Sequence, residues 1–289
     1  MSHVPAMKKR RRLLLLAGPA VLFVIAFVAF GDTISRRVGE IDFKTAREAD
    51  ESDAPTWPVN PAFKKDAFTF ARIKYSVDGT HGLGKTEHRW AIDFPASDLD
   101  LSFRLQQMTS MKVDPDGRVL KITDKELFDF PFLYIVEPGR LTFTEEELPI
   151  LRKYLLNGGF LMFDDFWGER EWASFHVEIK RLFPDREPVD LSESHPIFHT
   201  VFNLTEKPQV PGLPSALAGR THDKGEDAAE VHYRGISDDK GRLMVLICHN
   251  TDLGDGWERE GFNEDYFRDY SEKKAFPMGI NIIVYAMTH

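Results

Sequence analysis

The sequence predicts an α/β domain built on a mainly parallel sheet with helices on both faces, preceded by one N-terminal transmembrane or signal helix. Continuous apolar runs such as Phe132–Val136 and Phe160–Phe163 are typical of strands that are covered on both faces. These runs alternate with amphipathic segments of helical period, which favours a parallel sheet. The charge-free run Leu13–Phe30 predicts the N-terminal helix, because at ~1.5 Å per residue it nearly spans the ~30 Å membrane core.

The first half of the domain is predicted to contain a strand and two helices besides those runs. Phe68–Tyr75 alternates and is rich in aromatic residues, as a strand is. Ser97–Thr109 begins with a Ser-Asp cap and carries an apolar stripe of helical spacing, which predicts a helix. Thr144–Glu147 matches a capping box for a helix that runs to Leu156, and Gly158 suits the left-handed residue that ends it.

The second half is predicted to add a helix, a hairpin and a closing helix. Trp172–Phe183 has a helical pattern and is halted by the proline that follows it. Val231–Ile236 and Arg242–Cys248 are apolar runs separated by a short polar turn, the pattern of a β-hairpin. Pro277–Met287 closes the chain as a helix with proline near its first turn.

The N-terminal residues predict export of the domain. The cluster Lys8–Arg12 stands before Leu13–Phe30, which keeps the N-terminus in the cytoplasm and directs the rest across the cell membrane to the periplasmic or extracytoplasmic side. The run is a signal anchor or, since Ala29-Phe30-Gly31 is a small-x-small site, a cleaved signal peptide; Arg10–Leu14 also loosely resembles a twin-arginine signal. The predicted organisation is a cytoplasmic basic tail (1–12), the signal anchor or signal peptide (13–30), a tether that docks through Trp57-Pro58 (31–66) and the α/β domain (67–289).

Charge and cysteine content exclude several function classes. The chain has 37 basic and 46 acidic residues, and five of the basic ones lie in Lys8–Arg12, so residues 13–289 carry a net charge of −14. A remainder this acidic argues against nucleic-acid binding, which needs a basic face. A single cysteine excludes an intramolecular disulfide and any multi-cysteine metal site. Neither of the common glycine-rich nucleotide-binding motifs occurs.

Polar residues that directly follow the predicted strands are the candidate site, because ligands of parallel sheets bind beyond the carboxyl ends of the strands. Two adjacent carboxylates repel one another, which can raise a pKa or attract a cation; alternatively, Asp165 caps the next helix and loop amides bind Asp164. The candidate binding residues are Glu137, Arg140, Asp164, Asp165, Trp167, His249, Asn250 and Asp252.

Cys248 and His249 are adjacent but are not predicted to form a catalytic pair. Sequence neighbours on a strand point to opposite faces, so the imidazole is badly placed to deprotonate the thiol, and Cys248 is expected to be a small buried hydrophobic residue. His195 and His199 are four positions apart, but Pro196 indicates a turn rather than one face of a helix. The Gly-rich segment Thr251–Trp257 is predicted to be a loop, and its acids do not have the spacing of a calcium loop; they are Asp252, Asp255 and, directly after the segment, Glu258. We therefore expect these acids to be solvated, and we expect no metal and no cofactor.

Several tracts in order resemble one family over residues 68–289. They include FTFARIKYS, FPFLYIVEPGRLTFTEEELPILRKYLLNGGFLMFDDFWGEREW, GRLMVLICHNTDLGDGWE and KAFPMGINIIVYAMTH, and they are similar to the bacterial domain-of-unknown-function 4159 family. The resemblance implies a three-layer, flavodoxin-like sheet of the class I glutamine-amidotransferase-like group. Enzymes of that group keep a cysteine in a Gly-x-Cys-x-Gly elbow, whereas the elbow-like position here carries Asp164-Asp165-Phe166. Glutaminase activity is therefore not expected.

Besides a small-molecule sensor, two functions remain open at this point. The first is a non-catalytic binding or scaffold domain of the bacterial cell envelope, held at the inner membrane by Leu13–Phe30, with an envelope protein, peptide or glycan as its partner. The alternative is a hydrolase in which Asp164 or Asp165 acts as a base or metal ligand together with His249, since such chemistry needs acid and base groups of matched pKa.

Overall fold

The computed structural model describes residues 54–77 and 89–289 and confirms a mixed α/β fold with a mostly parallel sheet. The seven strands are β1 (Ala71–Ile73), β2 (Arg118–Leu120), β3 (Phe132–Val136), β4 (Phe160–Asp164), β5 (Val189–Asp190), β6 (His232–Ser237) and β7 (Leu243–His249). They form one sheet in the order β2-β1-β3-β4-β7-β6-β5. Within it, β6 runs antiparallel to β5 and to β7, and the other neighbouring strands are parallel, so the predicted hairpin of β6 and β7 is confirmed.

Helices of both the α and the tighter 3₁₀ type connect the strands. The α-helices are α1 (Ala96–Met108), α2 (Glu147–Leu156), α3 (Gly168–Leu182), α4 (Leu213–Leu217), α5 (Leu253–Glu258), α6 (Glu264–Tyr266) and α7 (Phe276–Thr288), with a π-helix (Phe267–Ala275) between α6 and α7. The 3₁₀ segments are Pro61–Asp66, Arg89–Ala91, Lys125–Asp129, Pro138–Arg140, Pro196–Phe198 and Glu226–Ala228.

The sheet is covered on both faces, as its apolar strands require. Phe132, Tyr134 and Met162 lie in one apolar cluster with side chains of α1 and α7. Their sequence neighbours point the other way, where Phe163 packs against Phe175 of α3 with ring centroids 4.8 Å apart. Helices therefore lie on both sides of the sheet, which explains why the central strands are apolar at every position.

The five strands β1, β2, β3, β4 and β7 are parallel, and their spatial order, numbered along the chain, is 2-1-3-4-5. Flavodoxin-like sheets have this order, so the fold is compatible with that architecture. The strand order reverses between β1 and β3, which lie side by side although the chain visits β2 between them.

Local signals in the sequence predict some element boundaries correctly and others wrongly. The capping box is confirmed: the Thr144 hydroxyl accepts from the Glu147 amide at 3.2 Å, and the Glu147 carboxylate accepts from the Thr144 amide at 2.8 Å. The first strand is shorter than predicted, and α3 begins at Gly168, four residues before the predicted start. The segment Thr251–Trp257, predicted to be a loop, contains most of α5.

The membrane-proximal predictions fall largely outside the described residues. Leu13–Phe30 and the tether up to residue 53 are among the residues not described. In the ranges 54–77 and 89–289, no helix has the length and apolarity to cross a membrane. The end of the predicted tether contacts the domain, because the Trp57 indole Nε1 donates to the Val113 carbonyl at 2.7 Å.

A buried ion pair joins the first strand to the first helix. Arg72 of β1 and Asp98 of α1 are both fully buried, and the guanidinium binds the carboxylate through Nε at 2.9 Å and through Nη2. Arg72 Nη1 also donates to the carbonyls of Trp90 and Ile92, each at 2.9 Å. The pair therefore fixes the backbone just before Asp93, at the carboxyl edge of the sheet.

Candidate functional site

Acidic side chains from four separate loops meet at the carboxyl edge of the parallel strands. Asp164 ends β4, Asp165 follows it, and Asp252 follows β7. Glu137 follows β3, and Asp93 lies in the loop that leads from β1 to α1. Because open parallel sheets bind ligands at this edge, near the point where the strand order reverses, the arrangement marks the candidate site.

Asp164 is completely buried at the centre of this group. Its Oδ2 accepts from the Gly254 amide at 3.0 Å and from the Tyr134 hydroxyl at 3.2 Å. Within the described chain, its Oδ1 has no hydrogen-bond partner. Burial raises the pKa of Asp164 from 3.8 to about 7, although the donors oppose the rise. This carboxyl therefore titrates near neutral pH.

Asp165 and Glu137 lie next to each other in strained backbone. Both have left-handed φ angles, 56° and 48° respectively, a conformation that costs non-glycine residues about 1–3 kcal/mol and is concentrated at functional sites. Burial and the Glu137 carboxylate raise the pKa of Asp165 well above 3.8. Burial also raises the pKa of Glu137. The positive charges of Arg89 and Arg140 oppose this rise, and Arg89 Nη1 lies 2.9 Å from Glu137 Oε2.

The interpretation of Asp165 as a helix cap is wrong. The residue that caps α3 is Trp167, whose own side chain makes no cap hydrogen bond. The first amides of the helix donate instead to the side chains of Asn250 and Asp227. Asp165 instead accepts from the Trp167 indole Nε1 at 2.8 Å, because its left-handed backbone turns the carboxylate back towards that ring. Trp167 is only 3% exposed, so it supports Asp165 rather than offering a surface for stacking.

Helix α5 supplies three acids on one short segment. Asp252 caps the helix, with its Oδ1 accepting from the Asp255 amide at 2.7 Å. Burial raises the pKa of Asp252 well above 3.8, and the negative charges of Asp165 and Asp93 add to this rise. Asp252 is 7% and Asp255 is 4% exposed, so the expectation that these acids are solvated is wrong for both. Burial also raises the pKa of Glu258, one helical turn after Asp255, with Arg259 opposing.

Asp93 completes the group and was not singled out from the sequence. Its backbone is left-handed, with φ 59°, and its buried Oδ2 has no hydrogen-bond partner among the described residues. A Cβ atom placed on Gly254 would stand 2.8 Å from this Oδ2 and 3.0 Å from the Tyr134 hydroxyl, so only glycine leaves room for them. Burial raises the pKa of Asp93 well above 3.8, and the negative charges of Glu258, Asp165 and Asp255 add to this rise.

We call this group the acidic edge. One oxygen each from Asp93, Asp255 and Glu258 lies within 4.8 Å of the others, close enough for one cation to bridge all three. The acidic edge consists of Asp93, Glu137, Asp164, Asp165, Asp252, Asp255 and Glu258.

His249 is on the other face of the sheet. Phe163 of β4 pairs in register with Ile247 of β7, so Asp164 points to the same side as Cys248 while His249 points away from both. No hydrogen bond in the described chain joins the imidazole to Asp164 or to Asp165: the imidazole contacts Arg234 and the Gly168 carbonyl, and Asp165 accepts from Trp167. The structure therefore does not bring together the acid and the base of the hydrolase hypothesis.

An aromatic stack holds the His249 ring in place. The ring lies 4.7 Å from Phe166 and 5.3 Å from Trp172, centroid to centroid, and Arg234 Nη1 is 3.1 Å from its Nδ1. Burial, with Arg234 nearby, lowers the pKa of His249 to about 4, so it is neutral at pH 7. Asn250 joins the end of β7 to the start of α3, because its Oδ1 accepts from the Gly168 amide at 2.8 Å.

Asp93 was missed from the sequence, and Asp255 and Glu258 were expected to be solvated, because the sequence signals for all three are weak. Asp255 and Glu258 are three positions apart, which places them on one face of a helix, but the glycines around them predicted a loop. Asp93 precedes the cap of α1, yet its link to α5 depends on a contact across about 160 positions of sequence. Only the knowledge that both segments end at one edge of the sheet could have connected them.

We expect the Cys248 thiol to be unreactive in the native protein. It is completely buried in the apolar cluster, and burial raises the pKa of the thiol well above 9. Because labelling needs the thiolate and an open path, a disulfide reagent should react on the order of a hundredfold more slowly with native than with urea-unfolded protein. Absorbance of the released thiol measures both rates. Equal rates would contradict this burial.

Comparison with known proteins adds a family but no activity. A family model with the description "Domain of unknown function (DUF4159)" matches residues 69–287. The matched residues include the segment at the end of β4 and the segment after β7. These two segments supply most of the carboxylates of the acidic edge. A search of curated proteins found no match to the chain.

Proposed function

The chain belongs to the DUF4159 family, which provides no activity to transfer, and we propose from the geometry that it is a membrane-tethered, extracytoplasmic binding domain whose binding site is the acidic edge. The observation that carries the proposal is the convergence of carboxylates from four loops at the edge where parallel sheets bind ligands. Four of these acids, Asp164, Asp165, Asp252 and Asp255, are buried. The basic cluster and apolar run at residues 8–30 support the tether and the direction of export.

The acidic edge favours a ligand that presents positive charge. Its carboxylates raise one another's pKa values, as Asp93 and Asp165 do for Asp252, so a cationic group that entered would relieve their repulsion. Trp167 is buried beneath Asp165 and cannot stack on a sugar ring. Among the envelope protein, peptide and glycan partners considered from the sequence, we therefore favour a protein partner that binds through a positively charged group.

A non-catalytic role agrees with the position of the nucleophile candidates. Cys248 is buried in the core, and His249 is neutral and faces the opposite side of the sheet from Asp164. Glutamine hydrolysis by this group of folds requires an accessible thiolate in the elbow that here holds Asp164 and Asp165. We therefore expect no release of ammonia from glutamine.

Cross-linking in cells tests the proposal. We expect the full-length chain to cross-link to an envelope protein and Asp165→Asn to reduce the recovered amount at least tenfold, measured by quantitative mass spectrometry. Glu126→Gln is the matched control, because Glu126 is an exposed acid in the 3₁₀ segment before β3, at the amino edge of the same sheet. A C-terminal alkaline phosphatase fusion should be active. Equal recovery from both variants, or an inactive fusion, would contradict the proposal.

One observation favours the alternative of a hydrolase. The pKa of Asp164, raised to about 7, suits general acid–base chemistry at neutral pH. His249 would have to be replaced in that mechanism by another residue, since it lies across the sheet. Turnover in a panel of hydrolase substrates that Asp164→Asn abolishes would favour this alternative over the binding domain.

A further inference from the structure

We propose that the acidic edge binds a divalent cation on the carboxylates of Asp93, Asp255 and Glu258. The inference rests on the proposed function, because it takes the acidic edge as the binding site. It adds the chemical class of the ligand, which nothing in the family description assigns.

The arrangement of the three carboxylates suits one cation. Asp255 and Glu258 lie three positions apart on α5, and Asp93 approaches them from the loop before α1. One oxygen of each lies within 4.8 Å of the other two, a separation that a cation with oxygen ligands at about 2.0–2.6 Å can bridge. A ligand set of oxygen atoms alone favours the hard cations Ca²⁺, Mg²⁺ and Mn²⁺ over zinc or copper.

Within residues 54–77 and 89–289, two buried oxygens at the acidic edge have no hydrogen-bond donor. Asp164 is completely buried, and its Oδ1 has no hydrogen-bond partner among the described residues; the same holds for the buried Oδ2 of Asp93. Buried polar atoms without a partner are rare in folded proteins, and a bound ion is one of the usual reasons for them. Asp93 Oδ2 also faces Gly254, where a Cβ would stand 2.8 Å away. Glycine thus keeps open the space around this oxygen.

Arg259 is a cation that already contacts two of the three ligands. Its Nε lies 2.8 Å from Asp255 Oδ1, and its Nη2 lies 2.9 Å from Glu258 Oε2. The side chain is 26% exposed, so it can move into solvent when a metal ion binds. Removing Arg259 should therefore strengthen cation binding, whereas removing a ligand should weaken it.

Titration of the purified full-length chain tests the inference. We expect saturable binding of Ca²⁺, Mg²⁺ or Mn²⁺ by calorimetry, at least tenfold weaker in Asp93→Asn and Glu258→Gln, at least threefold tighter in Arg259→Gln, and unchanged in the control Glu126→Gln. The loss of the free Mn²⁺ signal in electron paramagnetic resonance gives a second readout and counts the bound ions. Circular dichroism of each variant shows whether it is folded.

The outcomes separate this inference from the proposed function. Absence of saturable binding for all three cations, or wild-type affinity in both folded ligand variants, would overturn the cation site. If the cross-linked partner were nevertheless lost in Asp165→Asn, the acidic edge would still be the binding site and the partner itself would provide the positive charge. If cations bound as expected but the partner remained with Asp165→Asn, the proposed function would fail instead.

Discussion

Replacing Arg72 by methionine is expected to lower the free energy of unfolding by about 3–5 kcal/mol, because it leaves the buried Asp98 carboxylate without its counter-charge. Both residues are completely buried, and Arg72 also donates to Ser97 and to two carbonyls of the loop before α1. Methionine fills much of the same space, so the loss reflects charge and hydrogen bonds more than a cavity. Urea unfolding followed by tryptophan fluorescence measures the change.

The double variant Arg72→Met with Asp98→Asn separates the two causes. If the unpaired charge dominates, neutralising Asp98 as well should recover at least half of the lost stability, since replacing both partners of a buried pair is far milder than removing one. Arg72→Met should also weaken partner recovery, because Arg72 holds the carbonyls of Trp90 and Ile92 that precede Asp93. A loss below about 1 kcal/mol, typical of an exposed pair, would contradict this account.

The sheet was predictable from the sequence where its strands are long and buried. Phe132–Val136 and the strand that starts at Phe160 are apolar on both faces, and the structure has them where the pattern predicts. β2 and β5 were not predicted, since three residues and two residues are too few to show a period. The pattern also could not reveal strand order, which depends on contacts between distant segments.

Only part of the candidate site could be predicted, because the sequence shows where strands end but not which face of the sheet each side chain occupies. Asp164, Asp165 and Asp252 could be found because the rule that ligands bind at carboxyl ends needs only the ends of strands. His249 also lies at the end of a strand, but its side chain faces the other side of the sheet. Side chains alternate along a strand, and the register of β4 with β7 decides which of them share a face with Asp164. Asp93 was missed because the structure, not the sequence, brings its loop to α5.

Neutralising Asp164 is expected to change how stability depends on pH. Its pKa is about 7 in the folded chain and 3.8 without burial, so the folded state binds the proton more tightly. The stabilisation from that proton is complete below about pH 4 and is lost as the pH rises through 7. A shift of this size corresponds to at most roughly 4 kcal/mol. His249 has the opposite sign, because burial lowers its pKa from 6.5 to about 4, and its contribution is lost as the pH falls.

The difference between two curves therefore isolates Asp164. We expect the free energy of unfolding of wild type, minus that of Asp164→Asn, to fall by on the order of 2–4 kcal/mol between pH 4 and pH 8, while His249 cancels. The same subtraction with Glu126→Gln, which neutralises an exposed acid at the amino edge of the sheet, is the control. Urea unfolding at half-unit steps of pH measures all three curves. A difference that is flat, or that rises with pH, would mean that a cation or proton donor already stabilises the ionised carboxylate of Asp164. If millimolar Ca²⁺ or Mn²⁺ removes a pH dependence that is present without metal, then a divalent cation stabilises the ionised carboxylates of the acidic edge.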